Sequence, residues 1–190
     1  NALMGMMKYE PDIILIACNT LSVIYNQTEI YKQIKIPVIG IVNNGVEMVL
    51  DSIKNETSYG VIILGTETTI SSNQHKISLV KNGITENKII IQACKNLESE
   101  IQNDPKGKKV RELIEKYLVE TENKIVDKPA KQFVLFACTH YGYSTNIFNE
   151  VCSDLFGNNF EILNPNLKMA KVLNEQSISE MKVNTLIKNR

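Results

Sequence analysis

The sequence predicts an α/β protein of two pseudo-symmetric lobes, each on a mainly parallel sheet, with the active site in the cleft between them. Three observations carry this. Short apolar runs alternate with stretches of helical spacing along the chain, the pattern of βαβ units. Two of those runs end alike: residues 13–20 read Ile-Ile-Leu-Ile-Ala-Cys18-Asn19-Thr20, and residues 133–140 read Phe-Val-Leu-Phe-Ala-Cys138-Thr139-His140. The two copies also fall in different halves of the chain, as a pseudo-twofold axis through a crevice requires. The expected division puts residues 1–55 with about 158–190 in the first lobe and inserts 56–157 as the second.

The elements run in order along the chain. Residues 12–18 form a strand, and a helix runs from Thr20 to about Lys32, with Asn19 or Thr20 suited to cap it. Residues 37–42 form a second strand and 44–55 a helix. A third strand over 58–64 leads through Gly65-Thr66-Glu67-Thr68-Thr69 into a helix over 70–82, and 88–92 is a short strand. Val110, Leu113, Ile114, Tyr117 and Leu118 fall at helical spacing after Gly107. A polar loop over 120–131 precedes the second cysteine strand, 132–138; then come a helix over 144–155, a strand over 160–163 and, over 167–174, the start of a final helix. The polar tail, 181–190, is expected to fray.

Composition narrows the function. With 190 residues, 43% of them hydrophobic, the chain has enough for one good core or two small domains. Twenty-one basic and 21 acidic residues balance, so neither nucleic acid nor an anionic membrane is favoured as a partner. The uncharged stretch 13–28 is too short and too polar to span a bilayer. Four cysteines without framework spacing fit a reduced, cytoplasmic protein. The visible residues show no basic-then-apolar leader. The sequence starts at Asn1, without Met, inside a helical pattern (Leu3, Met6, Met7), and an upstream segment is expected.

Residues just past the carboxyl end of a buried parallel strand line the ligand crevice. Cys18 and Cys138 would each deliver a thiol there, just before a helix amino terminus whose N–H groups lower a thiol's pKa and can hold a carboxylate. A matched pair of acid/base groups suits a reaction in which a proton leaves one face of a carbon and returns on the other. His140 is placed to donate or accept a proton or to pair with a carboxylate. A lone buried cysteine is ordinarily a core residue, but two in matched contexts are not explained that way. A metal site built on Cys18, Cys138 and His140 is the chemical competitor, although the close ligand spacing of a zinc site is absent. Cysteine hydrolysis would leave the second thiol unexplained.

The remaining signals are weaker. Thr66, Thr69 and Ser72 either bond an anion or simply cap the helix after them. His75 reads as a surface residue, Cys94 and Cys152 as packing, and Lys106, Lys108, Lys109 and Arg111 as a solvated loop and helix start.

Ala17-Cys18-Asn19-Thr20 and Ala137-Cys138-Thr139-His140-Tyr141 resemble the two signature motifs of the cofactor-independent aspartate/glutamate racemases, the glutamate racemases in particular. Ile36-Pro37-Val38-Ile39-Gly40-Ile41-Val42 resembles the strand after the first motif, and residues 60–72 resemble the Thr-rich turn that opens the second lobe. The resemblance implies Cys18 and Cys138 as two bases on opposite faces of a substrate Cα. It implies Asn19, Thr20, Thr139 and His140 as the groups that hold the α-amino and carboxylate ends. No pyridoxal phosphate or metal would be needed; the partner would be a small acidic amino acid, and a homodimer is the default assembly. Related readings are an aspartate or broader racemase, a dicarboxylate isomerase, or a non-catalytic homologue.

The chain also departs from the family pattern. An Asp-Ser-Gly strand and a Tyr-Gly element would lie upstream of Asn1. Gly142 follows Tyr141 where Pro is usual, and Asn164-Pro165 replaces Asp-Ser. The glutamate that assists the second cysteine aligns with Gln102, with Glu98 and Glu100 close by.

Overall fold

A computed structural model describes residues 2–177. After α1 (Ala2–Met7), β1 (Ile14–Ile16) and β2 (Val38–Gly40) form a small parallel sheet, with Ile14 opposite Val38. Between them lies α2 (Asn19–Ile24). The second sheet has the order β4-β3-β5-β6, and its strands are Ile89–Ala93, Tyr59–Gly65, Lys131–Ala137 and Phe160–Leu163. Every strand pair among the described residues is parallel.

The central strands β3 and β5 read as continuous apolar runs because helices cover both faces. Ile62, Leu64, Val134 and Phe136 point into a core closed by α6 (Leu97–Asn103), α7 (Lys108–Glu122) and α8 (Thr145–Phe156), through Ile101, Ile114, Leu118 and Phe148. Val61, Ile63, Phe133 and Leu135 point the other way, onto α3 (Ile41–Ile53) and α5 (Gln74–Lys81), through Val46, Val49 and Leu79. The last helix, α9 (Pro165–Ser177), packs back onto α3. The strand before it, β6, pairs with β5, Gln132 lying opposite Phe160. The predicted tail, 181–190, lies outside the described residues.

Several boundaries differ from expectation for local reasons. The helix predicted to reach Lys32 stops at Ile24 and gives way to 3-10 turns at Tyr25–Gln27 and Tyr31–Gln33. There the Thr28 hydroxyl donates to the Tyr25 carbonyl at 2.6 Å, capturing an oxygen that a continuing helix would use. Ile41 and Val42 belong to α3, not to the strand before it. Ser22 sets that boundary: its hydroxyl donates to the Ile16 carbonyl and accepts from the Ile41 N–H, each at 3.1 Å. Gly40 makes this approach possible, because a Cβ there would stand 2.9 Å from Ser22 Oγ.

The helix predicted over 70–82 is two helices, α4 (Glu67–Ser71) and α5. Ser72 Oγ donates to the Thr69 carbonyl at 2.6 Å, and Asn73 takes a left-handed φ of 57°, so the axis breaks between them. No element was expected at α6, whose sequence shows only one apolar pair at helical spacing, Leu97 and Ile101.

Candidate active site

Both sequence-predicted thiols lie where a parallel strand ends and a helical turn begins. Cys18 follows β1 and caps α2 with φ −146° and ψ 120°; Cys138 follows β5 and caps the 3-10 turn Thr139–Ser144 with φ −147° and ψ 129°. The two backbones are nearly the same in conformation. Each carbonyl closes the first turn beyond it, accepting from the Ser22 N–H at 2.9 Å and from the Tyr141 N–H at 3.2 Å.

The thiols differ in burial. Cys18 is half-buried, whereas Cys138 is buried with its Sγ 3.8 Å from His140 Nδ1. Burial pushes the Cys138 thiol up to about 11. The backbone N–H of His140 opposes this, while charge on Glu98 and on Cys18 adds to it. Burial at Cys138 thus overturns the lowering expected of a thiol at a helix amino terminus. The turn is a short 3-10 segment with little dipole, and its N–H groups do not offset the loss of water.

Beyond Cys18, the side chains of α2 are held by the start of the second-sheet half of the molecule. Thr20, Thr66 and Thr69 close a ring of hydroxyls with Oγ1 separations of 3.0, 3.1 and 3.0 Å. Thr66 also caps α4, accepting from the Thr69 N–H at 3.3 Å. Asn19 is buried, its Oδ1 3.2 Å from Nε2 of His75, and its Nδ2 is buried with no hydrogen-bond partner. His75 is therefore not the surface residue that the sequence suggested. It is 3% exposed, and burial pushes its imidazole down to about 4, so it is neutral at physiological pH. The signal for it was faint, a single imidazole on a helix whose exposed face also carries Ile77 and Val80.

Thr139 and His140 line an open cavity of about 470 Å³, together with Ala17, Ile41, Tyr143, Asn166 and Met169. Neither cysteine and none of Asn19, Thr20, Thr66 and Thr69 lines that cavity. The predicted residues thus form two groups, one around Cys18 and one around Cys138, and Cys138 feels the charge of Cys18. Cys94 and Cys152 are buried within the core against α6, α7 and α8. Among the described residues, no three His, Cys, Asp or Glu side chains gather as metal ligands, so Cys18, Cys138 and His140 are not brought into a coordinating set.

Two departures from the family pattern are neighbours in space. A Cβ on Gly142 would lie 2.8 Å from Asn164 Nδ2, so glycine at 142 leaves room for the asparagine that replaces the usual aspartate. Asn164 Oδ1 in turn accepts from the Asn166 N–H at 3.1 Å, and Asn166 Nδ2 donates to the Thr139 carbonyl at 3.0 Å. The start of α9 is thereby tied to the turn after Cys138. Sequence reasoning missed Asn166 altogether.

A family model for Asp/Glu/hydantoin racemases matches residues 3–152. In sequence, the chain is 34% identical over 142 residues to a glutamate racemase of Hydrogenobaculum sp., covering 72% of this chain and 49% of the relative. It is 29% identical over 131 residues to a glutamate racemase of Aquifex pyrophilus, covering 68% of this chain and 46% of the relative. The chain therefore spans about half the length of these relatives. In structure, it resembles glutamate racemase from Campylobacter jejuni, with TM-score 0.71 at 22% identity over 100% of this chain and 68% of that one. It also resembles glutamate racemase from Francisella tularensis in complex with D-glutamate, with TM-score 0.74 at 22% identity over 96% and 63%. The fold of these structures is the two-lobed α/β arrangement that the parallel sheets and matched strand ends had indicated. With the family model covering most of its length, the chain belongs to the Asp/Glu/hydantoin racemase family.

Proposed function

We propose that this protein is a cofactor-independent amino-acid racemase that interconverts L- and D-glutamate by proton transfer at Cα between two cysteines. The observation that carries the reading is the matched pair of thiols, each at the carboxyl end of a parallel strand and in nearly the same backbone conformation. The family and the glutamate racemases among its relatives support the substrate class. In this reading one thiolate removes the Cα proton, and the opposite thiol delivers its own proton to the other face. The bond broken on one side is replaced by the bond formed on the other, and the two cysteines exchange protonation states. Cys138, held at about 11, is a thiol at neutral pH and stands first as the donor, which makes Cys18 the first base. His140, 3.8 Å from Cys138 Sγ, is placed to return a proton to the Cys138 thiolate after it has donated, and release by Cys18 of the proton it took completes the reset of the pair.

An amino-acid Cα–H is a very weak acid, so the negative charge that develops on the carboxylate must be stabilised. Asn19, Thr20, Thr66, Thr69 and Thr139 supply the neutral polar groups for this. Glu98, whose charge raises Cys138, takes the part of the carboxylate that assists the second thiol. The two-lobe division belongs to the same proposal. It keeps residues 1–55 with about 158–190 as the first lobe and 56–157 as the second, with β6 paired to β5 at the crossing between them. D-Glutamate for peptidoglycan is the product this reading supplies, made in the cytoplasm, where thiols remain reduced.

The test is racemisation followed by circular dichroism from each enantiomer of glutamate, with aspartate as the comparison. Cys18→Ser and Cys138→Ser are each predicted to abolish two-way racemisation, a loss of at least about 10³-fold from removing an acid/base group and its thiolate. Full activity in either variant sinks the two-base assignment. Turnover of aspartate in preference to glutamate moves the substrate and leaves the reaction standing.

A further inference from the structure

We propose that His75 is a positioning residue: its Nε2–H donates to Asn19 Oδ1 and so orients the Asn19 amide, presenting Nδ2 as a donor to the carboxylate of the bound amino acid. The inference rests on the racemase reading for the ligand, and on the structure for the geometry. His75 and Asn19 are each 3% exposed and lie 3.2 Å apart across 56 positions of sequence. Asn19 immediately follows Cys18, so the contact fixes the first side chain beyond a reacting thiol.

The amide leaves two consistent arrangements. Either Nε2–H donates to Oδ1 and Nδ2 is left as a donor, or the amide is turned over, Nδ2 donates to the Nε2 lone pair and an acceptor is left. The structure has Oδ1 facing the imidazole, and Nδ2 is buried without a partner. Buried donors in native proteins are nearly always paired, and a ligand oxygen is the partner that the first arrangement calls for. The imidazole is suited to the task because burial keeps it neutral throughout the physiological range, with one ring nitrogen a donor and the other an acceptor. A histidine that served packing alone would not need its polar edge on the residue next to a thiol. Here α5 carries that edge from the second-sheet half of the molecule onto α2.

Two readouts on the protein at its full coding length test this. Long-range proton–nitrogen NMR at pH 7 should show His75 as the neutral Nε2–H tautomer; the Nδ1–H tautomer overturns the proposal whatever the enzyme's substrate. In kinetics, His75→Leu should raise KM for glutamate roughly tenfold while kcat moves less than about threefold, the scale of one hydrogen bond. His75→Gln, which keeps an N–H donor, should recover KM to within about threefold. A parental KM in His75→Leu overturns the proposal. So does a His75→Gln variant no better than His75→Leu at equal melting temperature. Should the parent protein racemise neither amino acid, the racemase reading fails, and the tautomer still decides the geometry.

Discussion

A thiol at about 11 is ionised in roughly one molecule in 10⁴ at pH 7, so Cys138 is a thiol and not a thiolate in the unliganded protein. Burial and the charge on Glu98 hold it protonated, which under the proposed reaction makes it the first donor. His75 titrates in the opposite sense. Its folded pKa of about 4 lies below the ordinary 6.5, so the unfolded chain takes up the proton first. Stability is untouched above pH 6.5 and falls by about 3 kcal/mol as pH drops to about 4. Urea unfolding between pH 6.5 and 4 should show this decline in the parent, and a shallower one in His75→Gln. Parallel curves would show that the imidazole is not buried as described. None of this was legible in the sequence, because a histidine on a helix carries no mark of what its far side meets. The thiols were legible, because each is preceded by an apolar strand and Ala, and followed by polar residues.

At the scale of elements, Ser22 shows how a polar side chain fixes the segment that carries Cys18. Its hydroxyl joins the end of β1 to the start of α3, and Cys18 lies between β1 and the helix that carries Ser22. Ser22→Ala leaves the Ile41 N–H and the Ile16 carbonyl without this partner in a buried setting, and should cost about 1–3 kcal/mol in urea unfolding. An unchanged midpoint would remove Ser22 from the account. The strands of the second sheet were readable because burial on both faces demands uninterrupted apolar residues, as in Val61-Ile62-Ile63-Leu64 and Phe133-Val134-Leu135-Phe136. Helix ends were less so. Thr28, Ser72 and Asn73 break helices by hydrogen bonds and a left-handed turn that periodicity does not register. The pairing of Gly142 with Asn164 was visible only as two separate substitutions until the fold brought them together.

For the whole molecule, the buried thiols set an alkaline limit. Burial pushes Cys94 and Cys152 up to about 12 and Cys138 to about 11, from an ordinary 9.0. The unfolded chain releases these protons first, so stability is fully present below pH 9.0 and declines as pH rises toward 11. Each thiol contributes a slope of about 1.4 kcal/mol per pH unit. Urea midpoints should fall steeply between pH 9 and 10.5, and less steeply in Cys152→Ala; a flat profile would mean that the thiols are exposed. The two halves of the molecule meet through the hydroxyl ring and the Asn19–His75 contact, both just beyond Cys18.

Proton NMR in D2O, tracking the Cα–H signals of L-glutamate and D-glutamate with the protein at its full coding length, tests the central claim most directly. Two thiols on opposite faces predict that both enantiomers lose the Cα–H signal and gain deuterium, with both enantiomers formed from either one. Retention of Cα–H in both glutamate enantiomers would contradict the account.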